Sequence, residues 1–127
     1  MIVVDTSALI AVAANEPEAA ACEAVLIAHD LLLSAATLAE TLIVARRKTV
    51  EDSVQVLLDS LAPEVIDVSE GLAVLAADAY ARWGKGFHPA RLNYGDCFSY
   101  ALAELYECPL LYIGDHFVRT DIRSALG

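Results

Sequence analysis

Ile2-Val3-Val4-Asp5-Thr6-Ser7-Ala8-Leu9-Ile10 decides the fold class. Ile2 to Val4 is an unbroken β-branched run, the pattern of a short strand buried on both faces as in a parallel sheet. Asp5 closes the run, and Thr6 or Ser7 can cap a helix over Ala8 to Ala14. A strand that passes directly into a helix opens a βαβ unit. It also leaves a carboxylate at the strand's carboxyl end, where open α/β sheets bind their ligands.

The alternation continues downstream. Pro17 starts a helix over Glu18 to His29, and Leu31 to Leu33 reads as a second strand. Ala35 to Lys48, beginning after Ser34, and Val50 to Leu61, stopped by Pro63, read as helices, with Glu64 to Val68 a third strand. Ser69 and Glu70 open a helix to about Trp83. Gly84, Gly86 and Pro89 then break the chain into a loop that reaches Asn93 and carries Lys85, His88 and Arg91. Asp96 to Glu107 is helical, and Pro109 prevents its continuation. Leu110 to Ile113 is the most apolar strand, and Asp115 to Asp121 is a short helical or turn segment. The expected architecture is α/β: one domain over residues 1–127, with a mostly parallel central sheet of about four or five strands flanked by helices.

Composition narrows the function classes. The chain is 57% hydrophobic, yet acids and polar residues interrupt every apolar run before the roughly 18 to 20 residues that cross a bilayer, so no membrane span is expected. The start carries no basic leader or cleavage site, which makes the cytoplasm the expected location. Cys22, Cys97 and Cys108 are odd in number and widely spaced, which suits reduced core thiols rather than disulfides or a zinc site. A net charge of −10 excludes unspecific affinity for polyanions over the whole surface. The eight basic residues fall in three groups: Arg46, Arg47 and Lys48; Arg82, Lys85 and Arg91; Arg119 and Arg123. Brought together around an acid cluster they would form a local cationic rim able to hold phosphates. Left apart, they are solvated helix ends favoured by the dipole.

Four acids stand where a fold has least reason to put them: Asp5, Glu40 inside Ala35 to Val44, Asp96 in Asn93-Tyr94-Gly95-Asp96, and Asp115 after Ile113-Gly114. Asp5 and Asp115 terminate strands that would share a rim if adjacent. On a 3.6-residue period Glu40 shares a stripe with Ala36, Ile43, Val44 and Arg47, which predicts an inward-facing acid. Asp96 lies near a helix N-terminus, which favours an ionised carboxylate. Singly, each has a structural explanation as cap, turn residue or ion-pair partner. Together, hard oxygen ligands with no His or Cys in the set suit Mg²⁺ or Mn²⁺, ions that serve phosphoryl transfer.

Val3-Val4-Asp5-Thr6-Ser7-Ala8, Glu40, His88-Pro89-Ala90-Arg91-Leu92-Asn93-Tyr94-Gly95-Asp96-Cys97 and Leu110-Leu111-Tyr112-Ile113-Gly114-Asp115-His116-Phe117-Val118-Arg119-Thr120-Asp121-Ile122 give a more specific lead. Their order and spacing resemble the PIN-domain ribonucleases of the VapC toxin family over essentially the whole chain. The resemblance implies a single PIN-like domain with an acidic site of Asp5, Glu40, Asp96 and Asp115. It also implies a divalent metal, RNA cleavage, a homodimer and neutralisation by a VapB-type antitoxin. One departure is His116, where such toxins often carry another Asp. Thr6 and Ser7 match small hydroxyl residues beside the first Asp, able to orient it or to contact phosphate, although helix capping explains both. Asn93 is similarly ambiguous. Asp121 is expected to be structural, His29 to lie on the surface, and His88 and His116 to lie near the acids without a zinc spacing.

The expected reaction is attack of a metal-activated water on an RNA phosphodiester, leaving 5′ phosphate and 3′ hydroxyl ends. Arg91, Arg46, Arg47 and Lys85 are candidates for holding the RNA backbone, and Tyr94 for stacking a base. Two non-catalytic alternatives are a receiver-like module, which should carry a Lys at a late strand end and finds none after Leu110, and a PIN fold kept only for binding a partner. Val54, Leu57, Leu58 and Leu61 form an apolar stripe on one helix, offered as a dimer face or, more simply, as core.

Overall fold

The computed structural model describes residues 1–127. Ile2–Val4 (β1) is the hub of the sheet. It pairs in parallel with Leu31–Ser34 (β2) through Ile2 to Leu31 and Val3 to Leu32, and on its other side with Leu110–Leu111 (β4) through Val3 to Leu110 and Val4 to Leu111. Glu64–Ile66 (β3) pairs in parallel with β2, so the four strands run in the order β3-β2-β1-β4. Parallel pairing requires long crossovers, which here are helical: Thr6–Ala13 (α1), Ala19–Ala28 (α2), Ala35–Arg47 (α3), Glu51–Leu61 (α4), Glu70–Trp83 (α5) and Tyr94–Leu105 (α6). The chain first steps outward from β1 to β2 and β3, then crosses back to the far side of β1 as β4. The carboxyl ends of β1 and β4 therefore flank a topological switch point, the place where such sheets open a crevice.

Strand alternation separates two cores. Val3 and Leu32 face α5 and α6, together with Tyr100, Leu102, Leu92 and Phe117. Ile2, Val4, Leu31 and Leu33 face the opposite side with Leu9, Cys22 and Leu26. The α4 stripe belongs to the protein's own interior: Val54 packs with Ile10 and Ala45, while Leu57, Leu58 and Leu61 pack against the second core. Of the four, only Val54 is fully buried; the three leucines keep part of their surface exposed.

Several boundaries differ from the sequence reading for local reasons. Asp5 itself caps α1, its carboxylate accepting from the Ser7 N–H, so Thr6 and Ser7 lie inside the helix. α6 starts at Tyr94 rather than Asp96, because Asn93 is the cap and Asp96 closes a reciprocal capping box with it. β4 ends at Leu111, since the next available strand donor, the Ile113 N–H, is taken by Ser7 Oγ at 3.0 Å. β3 ends at Ile66, where the turn into the Ser69 cap begins. All three cysteines are free and buried. No helix is long and apolar enough to cross a membrane.

Candidate active site

Asp5 is 4% exposed, and both its carboxylate oxygens are engaged. Oδ1 accepts from Ser99 Oγ at 2.6 Å; Oδ2 accepts from Ser7 Oγ at 2.7 Å and Ser7 N at 3.1 Å. Ser99, on α6, is fully buried and also meets Thr37 Oγ1 of α3 at 3.1 Å, so hydroxyls bind β1, α3 and α6 around this acid. Thr6 lies within reach of Glu40 Oε1, Thr41 Oγ1 and the Thr37 carbonyl, at 2.9, 2.9 and 3.2 Å. Its single proton goes best to the carboxylate, the strongest acceptor of the three.

Glu40 is half-buried, and the stripe its spacing suggested holds in part: Ala36 and Val44 are half-buried with it, Ile43 and Arg47 are not. Ile43 is 56% exposed and Arg47 is exposed; the buried face of α3 is Thr37, Thr41 and Ala45. Glu40 is covered by contact with α6. A Cβ on Gly95 would fall 2.5 Å from Glu40 Oε2, so glycine lets this carboxylate lie across the α6 N-terminus. Asp96, 8% exposed, accepts on one oxygen only: Oδ2 takes the Asn93 N–H at 3.0 Å and faces His116 Nδ1 at 2.8 Å, while Oδ1 has no hydrogen-bond partner. Asp115 follows Gly114, whose φ of +100° turns the chain in the left-handed region that favours glycine, and is exposed.

Asp5, Glu40, Asp96 and Asp115 line one cleft of about 260 Å³ with Thr6, Ser7, Asn93 and His116. Burial raises the Glu40 carboxyl above its ordinary range, opposed by the Thr6 hydrogen bond and reinforced by the charges of Asp5 and Asp96. Burial likewise raises Asp96, with Asp5 adding to the effect and the Asn93 N–H and His116 opposing it. No Lys or Arg pairs with any of the four acids. The donor set therefore fits a hard divalent cation: carboxylate oxygens, two of them disfavoured as anions by burial and by one another, with no protein cation to neutralise them. No three His, Cys, Asp or Glu side chains converge at metal-ligand spacing as they stand, and the acids ring the cleft rather than meeting at a point.

A second cleft of about 410 Å³ adjoins the first and shares Asn93, Asp115 and His116 with it. Lys85, Arg91 and Arg119 supply its walls. Arg91 is held at a φ of 57° in the loop between α5 and α6, and Arg119 Nη1 donates to the Pro89 carbonyl at 3.3 Å. Arg46 and Arg47 are exposed at the end of α3 and line neither cleft. Tyr94 is 77% exposed, edge-on to Phe98, and borders an apolar groove between α5 and α6 rather than the acids. His88 is a loop brace, accepting from the Ala90 N–H at 3.0 Å beside Trp83, and His29 lies on the surface. Cys97, next to Asp96, is pushed up to about 12 by burial and by that carboxylate, so it is an inert thiol.

The PIN domain family model matches residues 2–123. Ribonuclease VapC30 of Mycobacterium tuberculosis is 42% identical over 126 residues, covering 96% of either chain. The chain belongs to the VapC ribonucleases of the PIN-domain family. Ribonuclease VapC of Mycolicibacterium smegmatis is 41% identical over 96% of this chain and 98% of its own length. Among solved structures, the fold is similar to that of VapC20 of Mycobacterium tuberculosis, a sarcin–ricin loop cleaving toxin, with a TM-score of 0.77 at 18% identity over 96% of both chains. It is also similar to a toxin–antitoxin complex from Klebsiella pneumoniae, with a TM-score of 0.71 at 18% identity over 95% of this chain and 93% of that one.

For this VapC-family chain, reading the sequence missed Gly95, Ser99, Thr37 and Thr41 as parts of the site, and placed Arg119 only among the basic groups of a possible rim. Ser99 had a signal, since it lies three residues after Asp96 and so on the same helical face. Gly95, beside Asp96 at a helix start, had one too.

Proposed function

We propose that this chain is a metal-dependent endoribonuclease toxin, held in check by a VapB-type antitoxin. The observation that carries this reading is the convergence of Asp5, Glu40, Asp96 and Asp115 on one cleft without a Lys or Arg partner, directly beside a cleft walled by Lys85, Arg91 and Arg119. The names of the related ribonucleases and of the toxin–antitoxin neighbour agree with it. Asp5, Glu40, Asp96 and Asp115 would hold Mg²⁺ or Mn²⁺. Such an ion, when bound, acidifies a water for attack on the phosphodiester and offsets charge on the phosphoryl oxygens and the leaving 3′ oxygen.

The protein's own groups orient and exclude. Ser7 and Ser99 fix both oxygens of Asp5, Thr6 holds one oxygen of Glu40, and the Asn93 N–H and His116 hold Asp96. These acids repel phosphates except where a cation intervenes. Lys85, Arg91 and Arg119 draw the RNA backbone to the one edge where cleavage is possible. Exposed Tyr94 is free to stack a base. An antitoxin segment bearing Arg or Lys would silence the site by satisfying the same carboxylates. A homodimer is part of this reading. Leu42 and Ile43 on α3 and Val56 on α4 stay 38%, 56% and 69% exposed and offer apolar surface for such contacts.

Thermal melts with titrated Mn²⁺, together with mapping of new RNA 5′ ends, test the proposal. Mn²⁺ should raise the Tm of the parent and much less that of Asp5→Asn and Asp96→Asn, and the parent's products should carry 5′ phosphates. Equal metal stabilisation in all three proteins would sink the site assignment. Arg91→Ala should lower the salt slope of RNA binding by about one; an unchanged slope rejects Arg91 as a phosphate contact.

A further inference from the structure

His116 lines the acid cleft, and it is the only basic side chain paired with any of the four acids. Its Nδ1 lies 2.8 Å from Asp96 Oδ2, the oxygen that already accepts the Asn93 N–H at 3.0 Å. One donor on a carboxylate leaves the plane of the group free to swing about the Cβ–Cγ bond. Two donors converging on the same oxygen fix it. With Asp96 ionised, as a metal ligand must be, the carboxylate only accepts and the proton of this bond belongs to Nδ1; a neutral ring then keeps its lone pair on Nε2.

We infer that His116 is a positioning residue: the Nδ1–H donated to Asp96 Oδ2 holds that carboxylate with Oδ1 presented to the acid cleft. An Asp at 116 would set a like charge against Asp96 and supply no donor. The pattern is that of outer-shell groups in metal sites, whose loss costs affinity without touching the ion. The half-exposed ring lies on the border of both clefts, so it can hold Asp96 without filling the space a substrate needs. The inference rests on the metal reading above, but it can fail independently of it.

Two measurements test it. In metal-free protein at pH 8, long-range ¹H–¹⁵N spectra of the His116 ring should show the Nδ1–H tautomer; the Nε2–H tautomer would overturn the assignment. Mn²⁺ dissociation constants are then compared across three substitutions. Asn places an amide N–H near the position of Nδ1, and Gln nearer that of Nε2. His116→Ala and His116→Gln should therefore weaken Mn²⁺ binding by about tenfold or more, and His116→Asn should restore it. Equal affinities in all variants would overturn the proposal. Retention by Gln with loss in Asn would overturn it too, in favour of direct ligation through Nε2. A parent that binds no Mn²⁺ sinks the metal reading, and the ring tautomer then decides the role of His116 alone.

Discussion

α6 carries an acid cluster at each end, and the two are built on opposite plans. Near its C-terminus, Glu104 and Asp121 share Arg82 through N···O distances of 3.2 and 3.4 Å, and buried Tyr100 donates its hydroxyl to Asp121. The guanidinium lies 5.4 and 5.9 Å from the ring centroids of Trp83 and Tyr100. This cluster contains its own cation, which both carboxylates share. At the N-terminal end, Asp96 stands with Asp5, Glu40 and Asp115, and no Lys or Arg answers them. Fixed orientation is common to both clusters; an internal Arg belongs to one. The missing protein cation, rather than the number of acids, marks the site, because acids without one gain most by taking a cation from outside.

The largest effect should separate the two clusters outright. Asp96→Asn should reduce RNA cleavage by more than the ten- to hundredfold that outer-shell changes cost in metal sites, with its circular dichroism unchanged. Asp121→Asn should cleave like the parent. Loss of cleavage in Asp121→Asn would mean that both ends of α6 serve catalysis and would break the contrast.

Gly95→Ala sharpens it from the other direction. Alanine favours the helix by up to about 1 kcal/mol, yet its methyl group would meet the Glu40 carboxylate, the movable end of a flexible side chain. The expected outcome is a Tm equal to or above the parent's with Mn²⁺ affinity reduced about tenfold, the scale of losing an orienting contact. Parent-like affinity would show that Glu40 does not need its place over α6.

Arg82→Ala should destabilise by about 1 kcal/mol, as expected for an exposed ion pair with aromatic stacking, and leave cleavage intact. A denaturant midpoint indistinguishable from the parent's would show that this cluster's internal cation contributes nothing.

The smallest effect depends on pH. Glu40 is raised by burial and by Asp5 and Asp96, so in metal-free protein the folded state holds its proton more tightly than the unfolded chain does. Its contribution to stability is fully present below the unfolded value of about 4.3 and is lost as pH rises through the raised folded value. The Tm of Glu40→Gln relative to parent should therefore increase as pH is raised through that window. A difference that stays constant with pH would show that Glu40 feels no excess of negative charge.

The sequence by itself determined the strand and helix succession, the parallel sheet and the identity of the acids. Those follow from local chemistry: β-branched runs, prolines, caps, and carboxylates at apolar borders. Which acids meet, and what holds them, was decided by tertiary structure. Ser99 reaches Asp5 across 94 residues of chain, and Thr6 reaches Glu40 across 34, so no window of sequence contains either bond. Glu40 has its place over α6 through the absence of a side chain at Gly95 on another helix, which its own stripe cannot report. Arg119 joins Lys85 and Arg91 only because the segment after β4 folds back beside the loop before α6, while Arg46 and Arg47, equally basic in sequence, are carried away at the end of α3. Periodicity reports which face of an element is apolar. It cannot report which face of which neighbour lies opposite, and the chemistry of this site lies in those pairings.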